Sequence, residues 1–181
     1  MAQAARIHYI LSMPHDAAHS HETEIAARIK AAEATCAQHG TQLTALRREV
    51  LELILQASAP VTAYQLLDQL KPIRKSAVPP TIYRSLEFLL ENRLIHRIER
   101  LNAFVPCAEA DHHHDDAQFL ICKRCGAVTE IEDHAVSHAL ASAAARQGFT
   151  ISRAVIEVEG LCTNCACLLY TSDAADEEDS V

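Results

Sequence analysis

Two Cys-x-x-Cys pairs, Cys122-Lys123-Arg124-Cys125 and Cys162-Thr163-Asn164-Cys165, restrict what the C-terminal part of this chain can become. Two such pairs can bring four thiolates to one closed tetrahedral zinc site. A thioredoxin-like redox dithiol is the competing reading, but it needs one pair rather than two and a preceding strand–helix–strand pattern that is missing here. Both pairs fall just past predicted strands, at turns where a two-residue spacer lets two sulfurs converge on one ion. Such a centre is anionic and needs nearby N–H groups to donate to sulfur. The segment that holds it, 118–168, is short and carries few large apolar side chains. A core of that size is marginal unless metal or oligomerisation supports it.

The chain has 181 residues, of which 49% are apolar and 22% charged. That length allows one large domain or two small ones. Trp is absent, so the core must be built from Leu, Ile, Val and Ala. No run approaches the ~20 apolar residues of a membrane span, and the N-terminus lacks a signal-peptide layout. A cytoplasmic location without a membrane partner is therefore expected. Seven cysteines there favour metal or redox chemistry over disulfides. The net charge of −8 argues against nucleic acid only if charge is evenly spread. It is not, because nine Lys/Arg face six Asp/Glu between residues 39 and 105, while the last nine residues hold five carboxylates and no base. Such a run reads as a solvated tail.

Residues 1–20 show no periodicity and read as a disordered extension. From Glu22 a helix places Ile25, Ile29, Ala32 and Cys36 on one stripe, with Gly40 closing it. Thr44 can cap a second helix with Leu46, Val50, Leu53 and Ile54 inward, ended by Pro60. Thr62 can cap a third, carrying Leu66, Leu67 and Leu70. Pro79-Pro80 opens a fourth, since proline is tolerated in a first turn. Leu94–Glu99 and Ala103–Val105 then read as two short strands joined by a turn. Three helices and a hairpin form the order of a winged helix-turn-helix, with helices 62–70 and 80–91 as the DNA-reading pair. Residues 106–117 form a polar hinge. Beyond it, strands at 118–122 and 127–131, an Ala-rich helix at 133–147 and a strand from Phe149 make a small α+β unit. The expected organisation is thus α+β: extension 1–20, winged-helix domain 21–105, hinge 106–117, dimerisation and zinc-binding domain 118–168, acidic tail 169–181.

A second set of soft donors lies around the hinge. His96 is on the first wing strand, Cys107 follows the second, His114 and Asp115 are in the linker, and Glu130 is beyond it. One thiolate, one carboxylate and two imidazoles would balance a divalent zinc ion, and a thiolate favours zinc over iron(II) or manganese(II). Each residue also has a plain structural reading, Cys107 as a small buried hydrophobe and the histidines as strand or loop residues. Cys36 reads as core and Cys167 has no assigned role. His134 and His138 share a helix face, a geometry that can also bind metal. For DNA, Tyr64, Tyr83 and Arg84 should face outward, with Arg47, Arg48, Arg74, Lys75 and Arg100 around them. Arg can read guanine bidentately, and tyrosine can reach phosphate or a thymine methyl.

The segments Leu43-Thr44-Ala45-Leu46-Arg47, Ala63-Tyr64-Gln65-Leu66-Leu67 and Pro79-Pro80-Thr81-Ile82-Tyr83-Arg84-Ser85-Leu86 resemble the ferric uptake regulator family. So do Phe119–Gly126 and Gly160–Cys165. The resemblance covers about residues 22–168, and His96-Arg97-Ile98-Glu99, Cys107, Gln118–Cys122 and Glu130 make the chain most similar to the zinc uptake regulators. It implies a homodimeric repressor, not an enzyme, that binds double-stranded operator DNA when zinc-loaded. It implies two zinc ions per chain: a structural one at Cys122, Cys125, Cys162 and Cys165, and a regulatory one at His96, Cys107, a linker histidine and Glu130. It also implies Tyr64 and Arg84 as DNA contacts. One departure is visible, since Asp115 stands where that branch usually has its linker histidine, and His114 is one position off; His114 is favoured. A peroxide or redox sensor, or a sensor of iron or nickel, with the same fold is the alternative. A zinc hydrolase or deaminase needs a His-x-Glu with Pro-Cys-x-x-Cys arrangement, which this chain lacks, so no small-molecule substrate is expected.

Overall fold

The computed structural model describes residues 7–8, 18–108 and 116–170, and side chains within 21–108 and 117–166. It divides into two units, one of residues 11–114 and the other of residues 1–10 together with 115–181. The expected linker ligands His114 and Asp115 and the acidic tail lie outside the described residues.

The first unit holds helices α1 (Ala18–Gln38), α2 (Ala45–Gln56), α3 (Ala63–Leu70) and α4 (Pro79–Glu91), then the hairpin β2 (Ile95–Ile98) and β3 (Ala103–Pro106). α1 presents the expected stripe, Ile25, Ile29, Ala32 and Cys36, all buried in the shared core. Gly40, at φ +67, takes the left-handed conformation that ends the helix. α3 begins with a capping box. Thr62 accepts from the Gln65 backbone N–H, and Gln65 Oε1 accepts from the Thr62 N–H at 2.8 Å. At the start of α4, Thr81 Oγ1 accepts from Val78 N at 3.1 Å, so an orphan donor is met although valine has no capping atom. Leu66, Leu70, Ile82, Leu86 and Leu89 are at most 1% exposed and lock α3 against α4. Val61, between α2 and α3, exchanges two backbone hydrogen bonds with Phe104, which seats the wing on the helices. At the far end of α4, buried Asn92 accepts from Thr41 Oγ1 at 2.9 Å and donates to Phe88 O at 2.8 Å. This unit is a winged helix-turn-helix.

The second unit is a four-stranded sheet in the order β1-β5-β4-β6, made of β1 (Ile7–His8), β4 (Asp116–Cys122), β5 (Val128–Ile131) and β6 (Ala154–Gly160). β4 runs antiparallel to β5 and parallel to β6. A parallel neighbour needs a crossover, which α5 (His134–Arg146) supplies. Asp133 caps α5 by accepting from Ala135 N at 2.8 Å. Gln118, buried on β4, pins α5 to the sheet by donating to Asp133 O and Ser137 Oγ, both at 3.0 Å. Three elements depart from the sequence reading. Ile7–His8, within the stretch read as disordered, pairs with β5 at Ile131 and Glu130, because an edge strand's unpaired backbone groups accept any extended segment within reach. The last strand starts at Ala154 rather than Phe149, and a short helix α6 (Thr163–Tyr170) follows it, where the pattern showed no helix.

A bidentate ion pair ties α2 to the turn before α4. Arg74 Nε and Nη2 donate to the two Glu49 carboxylate oxygens at 2.9 and 2.6 Å. The arginine holds the Glu49 carboxyl below its ordinary value of 4.5. A depressed carboxylate contributes stability that is present above its unfolded value and is lost as pH falls through its folded one. Glu49→Gln should therefore lower the thermal midpoint at neutral pH. The gap from the unaltered protein should close as pH is taken below about 4 in melting curves.

Candidate metal centres

The four cysteines converge because of strand register. Cys122 ends β4 directly opposite Gly160, the last residue of β6, and Lys123 N donates to Gly160 O at 3.0 Å. The chain on the β4 side then turns tightly. Cys122 N donates to Ala127 O and Gly126 N to Cys122 O, both at 2.8 Å, with Gly126 at φ +73. That left-handed position suits glycine and turns Cys125 back under Cys122. On the β6 side, Cys162 precedes α6 and Cys165 lies in its first turn. The four sulfurs lie within 4.8 Å of one another, and Cys125 Sγ is 3.8 Å from Cys162 Sγ. Four sulfurs about 2.3 Å from a central zinc sit about 3.8 Å apart on a tetrahedron's edges, so the donor set fits that ion.

The electrostatics point the same way. Cys162 N donates to Cys122 Sγ at 3.4 Å. This and further backbone donors, those of Cys125 and Arg124 among them, lower the Cys122 thiol to about 6. Burial, followed by the neighbouring thiols, pushes Cys165 up to about 12. One thiolate forms easily and the charge it carries resists the next, so a full tetrathiolate needs a cation at its centre. Arg124 reaches across from the first pair to donate to Cys165 O at 3.2 Å, joining the two halves a second time.

His96 and Cys107 belong to the wing. His96 lies opposite Val105 in the β2–β3 register. Cys107, two residues further, is its diagonal neighbour on the same face. Their ligand atoms come within 4.8 Å, and both residues are buried, at 7% and 6% exposure. This is not the face whose Ile95 and Phe104 join the helical core. Glu130 lies on β5 of the other unit, in register with Phe119. His134 and His138 are exposed on α5 and join no three-donor group among the described residues. Cys36 is fully buried in the core.

The outward residues sort by what already holds them. Tyr64, at 69% exposure, Tyr83, at 45%, and Arg84 face solvent. Arg47, expected at the DNA surface, also packs on α4. Its guanidinium lies 3.5 Å over the Phe88 ring and donates to Gln42 O at 2.8 Å, so packing on α4 holds it. Arg48 is paired with Glu33, and Arg74 with Glu49. Arg100 is exposed at the wing's turn. Sequence reasoning passed over Ile73 and Val78, exposed apolar residues before α4. It also passed over Arg28, whose Nη2 donates to Cys107 O. The available signal for Arg28 was its place beside the α1 stripe, three residues after Ile25 and four before Ala32.

Residues 38–159 match the ferric uptake regulator family. The zinc uptake regulation protein of Escherichia coli (strain K12) is 41% identical over 134 residues, 74% of this chain and 78% of that protein. A solved zinc uptake regulator complexed with zinc and DNA aligns with a TM-score of 0.76 at 38% identity, covering 81% of this chain and 97% of its own. The structure of holo XcZur aligns at 0.71 with 40% identity, covering 78% and 98%. With the family match spanning more than half its length, this chain belongs to the ferric uptake regulator family.

Proposed function

We propose that this chain is a cytoplasmic, zinc-responsive transcriptional repressor. As a zinc-loaded homodimer it binds operator DNA, and it lets go when zinc is scarce, so that zinc-uptake genes are expressed. The observation that carries this reading is the His96–Cys107 pair on the wing, a soft donor set built into the DNA-binding unit itself. The likeness to regulators solved with zinc and with DNA supports it. No helix among the described residues is long and apolar enough to cross a membrane.

Two zinc ions per chain are assigned. Cys122, Cys125, Cys162 and Cys165 hold the structural one. His96, Cys107, Glu130 and either His114 or Asp115 hold the regulatory one; in sequence His96 precedes the 106–117 segment, Cys107 and the linker donor lie within it, and Glu130 follows it. Zinc supplies a fixed charge that draws its donors into one geometry. Cys107 as a thiolate selects against harder ions such as manganese(II). Tyr64, Tyr83, Arg84 and Arg100 meet the DNA, Arg84 from the first half of α4, the helix that enters the major groove. The homodimer forms through the second unit. There α5 buries none of its residues, and Leu120, Val136, Leu140, Phe149, Val155 and Val158 are all exposed. So much apolar surface on a small sheet and its helix calls for a covering partner, and a second copy presents the same surface by symmetry.

Gel shifts on an inverted-repeat operator against graded free zinc, iron and manganese test the reading directly. Zinc should induce the complex at the lowest free concentration; an iron- or manganese-selective response, or release by peroxide with zinc expelled, would favour the alternative sensors. Cys107→Ser should abolish zinc-dependent binding while leaving a folded dimer. A variant that still responds to zinc contradicts the regulatory assignment. Cys122→Ser should lose one zinc per chain by metal analysis and lose the dimer or unfold by sizing and circular dichroism. Tyr64→Ala and Arg84→Ala should each weaken operator affinity by about 1–3 kcal/mol with zinc content unchanged, measured by titration at fixed salt.

A further inference from the structure

We propose that Arg28 of α1 is a positioning residue that presets the Cys107 thiolate for the regulatory ion. This rests on the assignment of Cys107 as a zinc ligand. Cys107 is the residue at which the chain leaves the wing, one past the end of β3. Its backbone is held on both sides by different elements. Its N–H donates to Leu94 O at 3.1 Å, just before β2. Its carbonyl accepts from the Arg28 guanidinium, 79 residues earlier in sequence. With both the N–H and the C=O anchored, the backbone dihedrals of residue 107 are set. The sulfur then keeps little freedom beyond rotation about χ1. That rotation needs only to select the well that faces His96.

Packing does not do this work alone. A cleft of about 140 Å³ lies beside Cys107, lined by Arg28, Ala32, Leu51 and Leu94 among others. On that side the segment borders open space, and the hydrogen bond from Arg28 is one restraint that holds it there. A cationic donor on a carbonyl makes a stronger and shorter bond than a neutral one. Lysine could supply the charge, but not the planar fork that a fixed approach uses. Groups that orient a metal ligand without touching the metal typically contribute 10–100-fold in affinity. The arrangement also has a consequence for coupling. α1 buries Ile25, Ile29, Ala32 and Cys36 in the same core as α2 and α4. An ion that fixes Cys107 is therefore linked through Arg28 to α1 and the core it packs on.

The test compares the full-length protein with Arg28→Ala, Arg28→Lys and Cys107→Ser. Readouts are the free zinc at half-maximal operator binding, operator affinity at saturating zinc, and the thiolate-to-metal charge-transfer absorption of cobalt(II) added after the structural site is filled with zinc. Arg28→Ala should raise the half-maximal free zinc about tenfold. It should weaken or shift the cobalt–thiolate band and leave operator affinity at saturating zinc within about twofold. Arg28→Lys should recover part of the loss. An unchanged zinc midpoint and cobalt band in Arg28→Ala, with the response abolished in Cys107→Ser, overturns the role of Arg28 and leaves the repressor reading standing. Loss of operator binding by Arg28→Ala even at saturating zinc shows a merely structural residue and also overturns it. If Cys107→Ser keeps the full zinc response, both the ligand assignment and this inference fall together.

Discussion

The parallel pairing of β4 with β6 is the constraint on which the C-terminal unit depends. Because Cys122 stands opposite Gly160, the two Cys-x-x-Cys turns leave the same end of the sheet side by side. A slip of one residue would turn Cys122 to the other face and part the sulfurs. The sulfurs in turn stabilise what brings them together. The unit's apolar core is small, and α5 adds no buried residue to it. Backbone donors ease ionisation at Cys122 while burial and the neighbouring thiols resist it at Cys165, and the four sulfurs together become a source of folding energy once a divalent cation sits among them. Metal and register are thus one device, each making the other possible.

A similar logic applies in the wing, on a smaller scale. The His96–Val105 pairing places Cys107 on the diagonal of His96, so a hairpin of two four-residue strands is enough to bring an imidazole and a thiol together. The opposite face of that hairpin is spent on the helical core through Ile95 and Phe104, and the Val61–Phe104 bridge fixes the hairpin to the segment before α3. A donor pair seated this way shares its rigid body with the helices that carry Tyr64 and Arg84. Arg28 extends the same body to α1.

The cations of the first unit show why counting charge is a poor guide to a nucleic-acid surface. Arg47, Arg48 and Arg74 all lie near α2, and each has a partner in the fold: the Phe88 ring, Glu33 and Glu49. They stabilise helix packing. Arg84, next to exposed Tyr83, stays turned to solvent because the opposite side of α4 supplies Ile82, Leu86 and Leu89 to the core. What each cation touches distinguishes these paired arginines from the outward Arg84, which a sum of charge does not.

Local pattern alone determined much of this protein. Apolar spacing predicted α1 to α4, Thr62 predicted the start of α3, Pro79-Pro80 predicted that of α4, and the spacing of four cysteines marked out a metal-sized donor set. These are short-range matters, decided by residues within a turn or two of each other. Contacts between distant residues had no such signature. The strand formed by Ile7–His8 exists only because β5 has an open edge, the α6 helix begins only where Cys162 turns the chain, and Arg47 lies over the Phe88 ring only because α2 packs against α4. The hydrogen bond from Arg28 to Cys107 is of the same kind. The sequence by itself determined which residues could ligate, cap or pack. Tertiary structure decided which of them meet, because meeting depends on strand register and helix packing, and those are settled by the whole core at once.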